Sequence, residues 1–347
     1  MRDPNRTLSQ QWLSYSCFVG TLAALTLFFI LPAVSADGIR APGAAVQVST
    51  RLAFVEGPAY AADGSVYFTD IFNNRVMRLA ANSEMTLFGR VAQVYRQPAG
   101  LANGLAFDLE GRLLACEGNG EGGNRRVSRT EKDGTVTTLA DRYRGKRLNS
   151  PNDLDVDAKG RVYFTDPRYG DRTDVEQDKD GVYRIDPDGS VSRIIEDVGK
   201  PNGIAVSVDQ KSLYVIDTDI SKAGSTRKVY AYELRRDGSA GARRVVHDFG
   251  TGRGGDGMCL DHSGNLYVAA GLNTPGPPIE DGSVKAGVYV FSPEGKQLDF
   301  IAVAEDMVTN VTFGDPDLKT LYITAGSKLF SIPLNVRGHL LWPSVKD

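Results

Sequence analysis

The chain has 347 residues, 41% hydrophobic and 24% charged, with a formal net charge of −3. That is enough apolar material for one large core or two modest ones. Charge this near to balance, with no basic run and no aromatic–basic interleaving, argues against nucleic acid as a partner.

The first 36 residues stand apart. Arg2 and Arg6 precede an apolar run from Phe18 to Leu31, followed by Pro32 and the small residues Ala33, Val34, Ser35 and Ala36. This is the layout of a secretory signal peptide cleaved near Ala36. It predicts an exported protein, periplasmic or secreted, with no stable membrane insertion after signal removal. The alternative is an uncleaved anchor, because the run is nearly long enough to span a membrane. Residues 37–347 are then expected to form a single domain. Of the three cysteines, Cys17 lies in the leader. Cys116 and Cys259 sit in apolar strand contexts and are expected as buried, unpaired thiols.

From residue 37 onward helical periodicity is nearly absent. Glycine, 38 residues in all, often follows Asp, Glu or Asn in turn dipeptides. Six strands centred on Tyr67, Leu114, Tyr163, Tyr214, Tyr267 and Tyr322 recur at spacings of 47, 49, 51, 53 and 55 residues. Repeats of this period with a turn–strand–turn rhythm predict an all-β fold. The expected architecture is a six-bladed β-propeller of four-stranded antiparallel blades.

In the first repeat the inner strand is expected from Glu56 to Tyr60, the second as VYFTD and the third as RVMRLA. The fourth is either MTLFG or VAQVYR. The last repeat offers no obvious fourth strand, so Val46 to Leu52 is expected to pair with it and close the ring, removing an exposed edge. Segments 117–125, 167–181 and 271–284 are long for blade turns. All three follow second strands, which places them at one mouth of the channel.

Eleven or twelve residues ahead of each strand centre stands a polar side chain: Glu56, Asn103, Asn152, Asn202, Asp256 and Asn310. Equivalent positions in a closed ring face the same axis, so these six converge. Taken singly, each fits a turn residue bonding its own backbone. Apolar strands follow directly, however (LAFD, IAVS, MCLD), which makes these residues the starts of inner strands. Two carboxylates with amide oxygens, and no His or Cys, are ligands for a hard divalent cation. Ca2+ is foremost, with Mn2+, Zn2+ or Fe2+ as substitutes.

The runs FVEGPAY, GKRLNSPNDLDVDAKGRVYFTDPRYG, KPNGIAV and GGDGMCLDHSGNLYVAA resemble the SMP-30/gluconolactonase/LRE-like family of calcium-dependent six-bladed propeller lactonases. The resemblance covers essentially all of residues 37–347. It implies a metal held by Glu56, Asn152, Asn202 and Asp256, four of the six that the repeat register picks out. One departure falls in blade 2. Relatives resembling bacterial gluconolactonases are expected to carry a His after the Cys-Glu pair, where GNGEGGNRRV follows Glu117 here. That difference bears on the substrate.

The expected activity is hydrolysis of a lactone, a sugar aldonolactone such as gluconolactone foremost. The cation would polarise the carbonyl while Asp256, or Asp153 beside Asn152, assists the attack of water. Asn103 and Asn310 are assigned to substrate or to bound water, with bonding inside the strand as their alternative. Tyr169 and Arg168, from the DPRYG loop, are assigned to substrate hydroxyls, with a surface role as theirs. Two rival readings remain on sequence grounds: a phosphotriesterase or arylesterase on the same cage, and a non-catalytic exported binding propeller. A Ser-His-Asp triad has no support, since no GxSxG occurs. Oligomeric state is not legible.

Overall fold

The structure is a computed structural model that describes residues 52–343 apart from 88, 222, 223 and 277–279. The leader and residues 46–51 of the expected closing strand lie outside the described residues. Leu52 itself is exposed and sits in a bend. Everything described belongs to one compact unit. Among these residues no helix is long and apolar enough to cross a membrane.

Six antiparallel sheets, each a meander in chain order, make the blades of a six-bladed β-propeller. Their inner strands are Val55–Tyr60, Ala102–Phe107, Leu154–Val156, Pro201–Val206, Gly255–Leu260 and Val308–Gly314. Five blades have four strands; the sixth has three among the described residues. In blade 1 the fourth strand is Gln93–Arg96, from VAQVYR. Met85–Thr86 instead forms a small hairpin with Gly89–Arg90.

The second strands are covered on both faces, so even their Thr and acidic residues are buried. VYFTD, LLACE and LYVAA are buried at every position. The core therefore lies in slabs between neighbouring blades. Ile216 and Val229 of blade 4 pack with Met258 and Val268 of blade 5, and Leu114 of blade 2 packs with Leu154 and Phe164 of blade 3. Cys116 is buried and Cys259 half-buried, and neither forms a disulfide.

A threonine clasp repeats around the ring. Thr69 of blade 1 donates to the Asn103 carbonyl of blade 2 at 3.0 Å, and Thr165 of blade 3 to the Asn202 carbonyl of blade 4 at 2.7 Å. Thr218 donates to the Gly255 carbonyl of blade 5. Thr309 of blade 6 closes the circle on the Val55 carbonyl at 2.8 Å, while Val55 N donates to the Gly326 carbonyl at 3.0 Å. Each clasp holds the backbone of a neighbouring inner strand beside a candidate site residue.

After its last strand, Lys328–Pro333, the chain crosses the opposite end of the channel. Gly338 bridges Asp261, His339 N donates to the Leu260 carbonyl, and Gly338 N donates to the Leu318 carbonyl. Leu340 joins the Tyr60–Tyr322 cluster, and Trp342 lies on Phe107 with ring centroids 4.8 Å apart. A channel of about 120 Å3 remains between the candidate site and this tail, lined by inner-strand residues of every blade and by His339–Trp342.

Candidate functional site

Each site residue sits where its inner strand is irregular. The ladder with the second strand slips between Glu56 and Ala59, between Ala102 and Leu105, between Pro201 and Ile204, between Gly255 and Met258, and between Val308 and Asn310. In blade 3 the strand starts only at Leu154, just after Asn152 and Asp153. A bulge bends the strand and re-aims the side chain it carries. Here the carriers are Glu56, Asn103, Asn202, Asp256 and Asn310, one per blade.

The glycines that follow have a packing reason. A Cβ on Gly203 would overlap the Asp256 carbonyl, and one on Gly257 would overlap the Asn310 side chain. The pairs Asn202-Gly203 and Asp256-Gly257 thus mark places where adjacent inner strands press together. They are not hairpin turns.

Convergence on the axis is visible in the contacts. Asn310 of blade 6 donates through Nδ2 to Asp153 Oδ2 of blade 3 at 3.2 Å, although the two are 157 residues apart. Asn202 Nδ2 donates to the Tyr169 hydroxyl at 3.2 Å, and its amide also bonds Asp256. The Glu56 carboxyl feels both Asp256 and Asp153.

Glu56, Asn152, Asn202 and Asp256 are each at least 92% buried. Glu56 Oε2 accepts from its neighbour Gly57 N at 3.0 Å, and Asp256 Oδ2 accepts from Arg253 at 2.9 Å. Among the described residues no hydrogen bond engages the second carboxylate oxygen of Glu56, the side-chain amide of Asn152 or the Asn202 amide oxygen. Asn103 is half-buried and its side-chain amide is likewise unbonded.

Asn310 differs: its Oδ1 accepts from Val311 N at 2.8 Å and its Nδ2 is given to Asp153. Arg168 also differs. Its guanidinium donates to the Asp171 and Asn149 carbonyls and pairs with Asp174, all holding the loop in place. Tyr169 reaches the hub from that loop, its hydroxyl contacting Asn202 and the Thr218 carbonyl.

The electrostatics are those of a site short of positive charge. Burial, then Asp256, then Asp153 hold the Glu56 carboxyl well above the usual carboxylate range. Burial also raises Asp256, against the pull of Arg253. Asp153 is pushed up to about 7 by burial, with the Leu154 N–H and Asn310 opposing. Buried carboxyls in mutual repulsion gain most from a cation placed among them. Two carboxylates and two amide oxygens from four blades suit a hard ion such as Ca2+. Among the described residues no group of three or more His, Cys, Asp or Glu is placed to hold a metal ion by itself.

The three long loops do share the site's end of the channel. Second strands end at Glu117, Asp166 and Ala270, and Ala102 pairs Glu117 while Gly255 pairs Ala270. Sequence reading missed what supports the hub. Arg253 and Glu280 flank Asp256 from the approach to blade 5 and from the 271–284 loop, with an ion pair of 3.7 Å between them. Asp166 accepts the backbone N–H groups of Asn149 and Ser150 at 2.8 and 2.7 Å, fixing the turn that leads to Asn152. Asp217 does the same for Gly199 and Lys200 ahead of Asn202. The repeated Asp at the end of the second strand was the signal available. Glu117 holds the equivalent place in blade 2, gathering Arg96, Arg126, Asn124 and Ser128.

The fold and the hub define a class: six-bladed propellers with an acidic, amide-lined site where the inner strands meet the axis. The chain belongs to the SMP-30/Gluconolactonase/LRE-like family, whose region profile matches residues 54–327. A gluconolactonase of Zymomonas mobilis is 29% identical over 82% of this chain and 80% of its own length. The pentonolactonase XacC of Haloferax volcanii is 29% identical over 80% and 83%. Among solved structures, the gluconolactonase XC5397 of Xanthomonas campestris superposes with a TM-score of 0.68 at 32% identity, over 82% of this chain and 87% of that one.

Proposed function

We propose that this protein is exported and opens lactones by hydrolysis, with a sugar aldonolactone such as gluconolactone as substrate and Ca2+ as the resident cation. One observation supports the reading: buried acid and amide groups of Glu56, Asp153, Asn202, Asp256 and Asn310, from five blades, interact across the axis in a chain of this family. The gluconolactonase and pentonolactonase relatives support a cyclic ester of a polyhydroxy acid as the substrate class.

When bound, a divalent cation supplies Lewis acidity toward the ester carbonyl oxygen. Glu56, Asn152, Asn202 and Asp256 would hold it. We assign the proton to Asp153. Its carboxyl is buried, aimed by Asn310, and has a proton affinity near the operating pH, as a general base needs. Asp153 takes a proton from the attacking water and returns it to the ring oxygen as the C–O bond breaks, leaving a hydroxy acid.

Asp256, the first choice on sequence grounds, is engaged by Arg253 at Oδ2 and also bonded by the Asn202 amide. Asn310 then acts by positioning Asp153, and Arg168 by pinning the loop that brings Tyr169 to Asn202. Asn103 is left for a substrate hydroxyl.

The test is a metal titration. Protein stripped of metal should open neither gluconolactone nor xylonolactone, and Ca2+ should restore turnover. Asp256→Asn should abolish the response. Turnover confined to a phosphotriester or aryl ester would move the assignment to that chemistry. Calcium binding with no turnover of any ester would leave a binding propeller.

A further inference from the structure

We propose that Arg253 and Glu280 are a charge-balancing pair that sets how tightly the hub holds its cation and fixes which oxygen Asp256 offers. This rests on the metal-binding reading above. Arg253 lies three residues before Asp256 and donates through NH2 to Asp256 Oδ2 at 2.9 Å. Its NH1 stands 3.7 Å from Glu280 Oε1, which comes from the loop after the second strand of blade 5. Both side chains are nearly buried, at 10% and 6% exposure. Arg227 donates to the Thr251 and Gly252 carbonyls, so the backbone just ahead of Arg253 is held.

Neither Arg253 Nε nor Glu280 Oε1 has a hydrogen-bond partner among the described residues. A buried carboxylate oxygen held at ion-pair distance without a hydrogen bond is a costly arrangement for stability alone. Its use becomes clear when the charges are set out. Glu56 and Asp256 together neutralise a divalent cation. Arg253 adds a positive charge in direct contact with one of those ligands, and Glu280 cancels it.

Arg253 also holds Asp256 Oδ2, which leaves Oδ1 as the oxygen free of Arg253 for the cation. Removing the Glu280 charge leaves a guanidinium and a divalent ion in repulsion inside a low-dielectric site. Removing the Arg253 charge frees the second Asp256 oxygen and leaves Glu280 as an extra attraction. The two losses therefore act on cation affinity with opposite signs.

Calorimetric titration of Ca2+ into the metal-stripped full chain decides this, in wild type, Glu280→Gln, Arg253→Met and the double variant. Kd should rise about tenfold or more in Glu280→Gln and fall or hold in Arg253→Met, and the double variant should return to within about threefold of wild type. Arg253→Lys, which keeps the charge, should stay close to wild type and serves if the Met variant does not fold. Wild-type binding with an unchanged Kd in Glu280→Gln, or a Kd raised in both single variants, overturns the proposal. Wild-type protein that takes up no Ca2+ overturns the metal reading itself, and this pairing with it.

Discussion

Asp153 shows how much a single buried carboxyl depends on its surroundings. Desolvation lifts it to about 7, while Leu154 N and Asn310 Nδ2 pull it back by donating hydrogen bonds to the carboxylate. A general base works only when ionised, so kcat/KM of the cation-loaded protein should fall by about tenfold per pH unit along an acid limb. That limb lies below the value set by burial alone, because a nearby positive charge favours the carboxylate. Asp153→Asn should lower kcat by about 10²- to 10⁴-fold and erase the acid limb. Its Ca2+ affinity by calorimetry should stay within a few-fold of wild type. Wild-type turnover in Asp153→Asn would return the proton to Asp256.

Inner strands carry the site, and their close approach is the element-scale constraint. At Gly257 a methyl group would run into Asn310, the residue that aims Asp153 from across the ring. Gly257→Ala should cost about 1–3 kcal/mol of stability in thermal unfolding, as over-packing does, and should lower kcat with it. A second element-scale effect ties blades 3 and 4 together. Asp155 accepts from Val206 N at 2.7 Å and from Val156 N at 2.8 Å.

Burial raises the Asp155 carboxyl to about 6, above its unfolded value near 3.9. The folded chain therefore binds the proton more tightly than the unfolded chain. The stabilisation that proton brings is complete below about pH 4 and is lost as pH rises through 6, a change of about 3 kcal/mol. Urea unfolding at pH 4.5 and 7.5 should show that slope in wild type. Asp155→Asn should flatten it.

For the whole molecule, the question is what keeps six blades in a ring and which end of the channel stays open. Thr309, Val55 and Gly326 join blade 6 to blade 1 beside the site. At the other end the tail runs from blade 6 past blade 5 to blades 1 and 2, ending with Trp342 against Phe107 and Gly111. The three long loops lie at the site's end of the channel. Trp342→Ala should lower stability by about 2–4 kcal/mol in denaturant unfolding, because it removes a large apolar contact. Its kcat on lactone should stay unchanged, since the tail does not touch the hub. A fall in kcat at full folding would show that the channel's far end communicates with the site.

Blade number and blade order were legible in the chain because a propeller repeats its local pattern. Strand centres and upstream polar residues keep nearly constant separation, and a period of that kind maps directly onto a ring. The NSPND and YFTD runs also announced their blades, although the role of the YFTD aspartate as a cap on the entrance to its own blade did not show. The partners of the hub were decided only by tertiary structure. Arg253 meets Glu280 across a loop, Asn310 meets Asp153 across 157 residues, and the tail crosses to blade 2. None of these pairs shares a period or a spacing, because each arises from loops and strands brought together only when the ring closes. Local periodicity determined the six blades and the places of their inner strands; ring closure decided what each inner-strand residue touches.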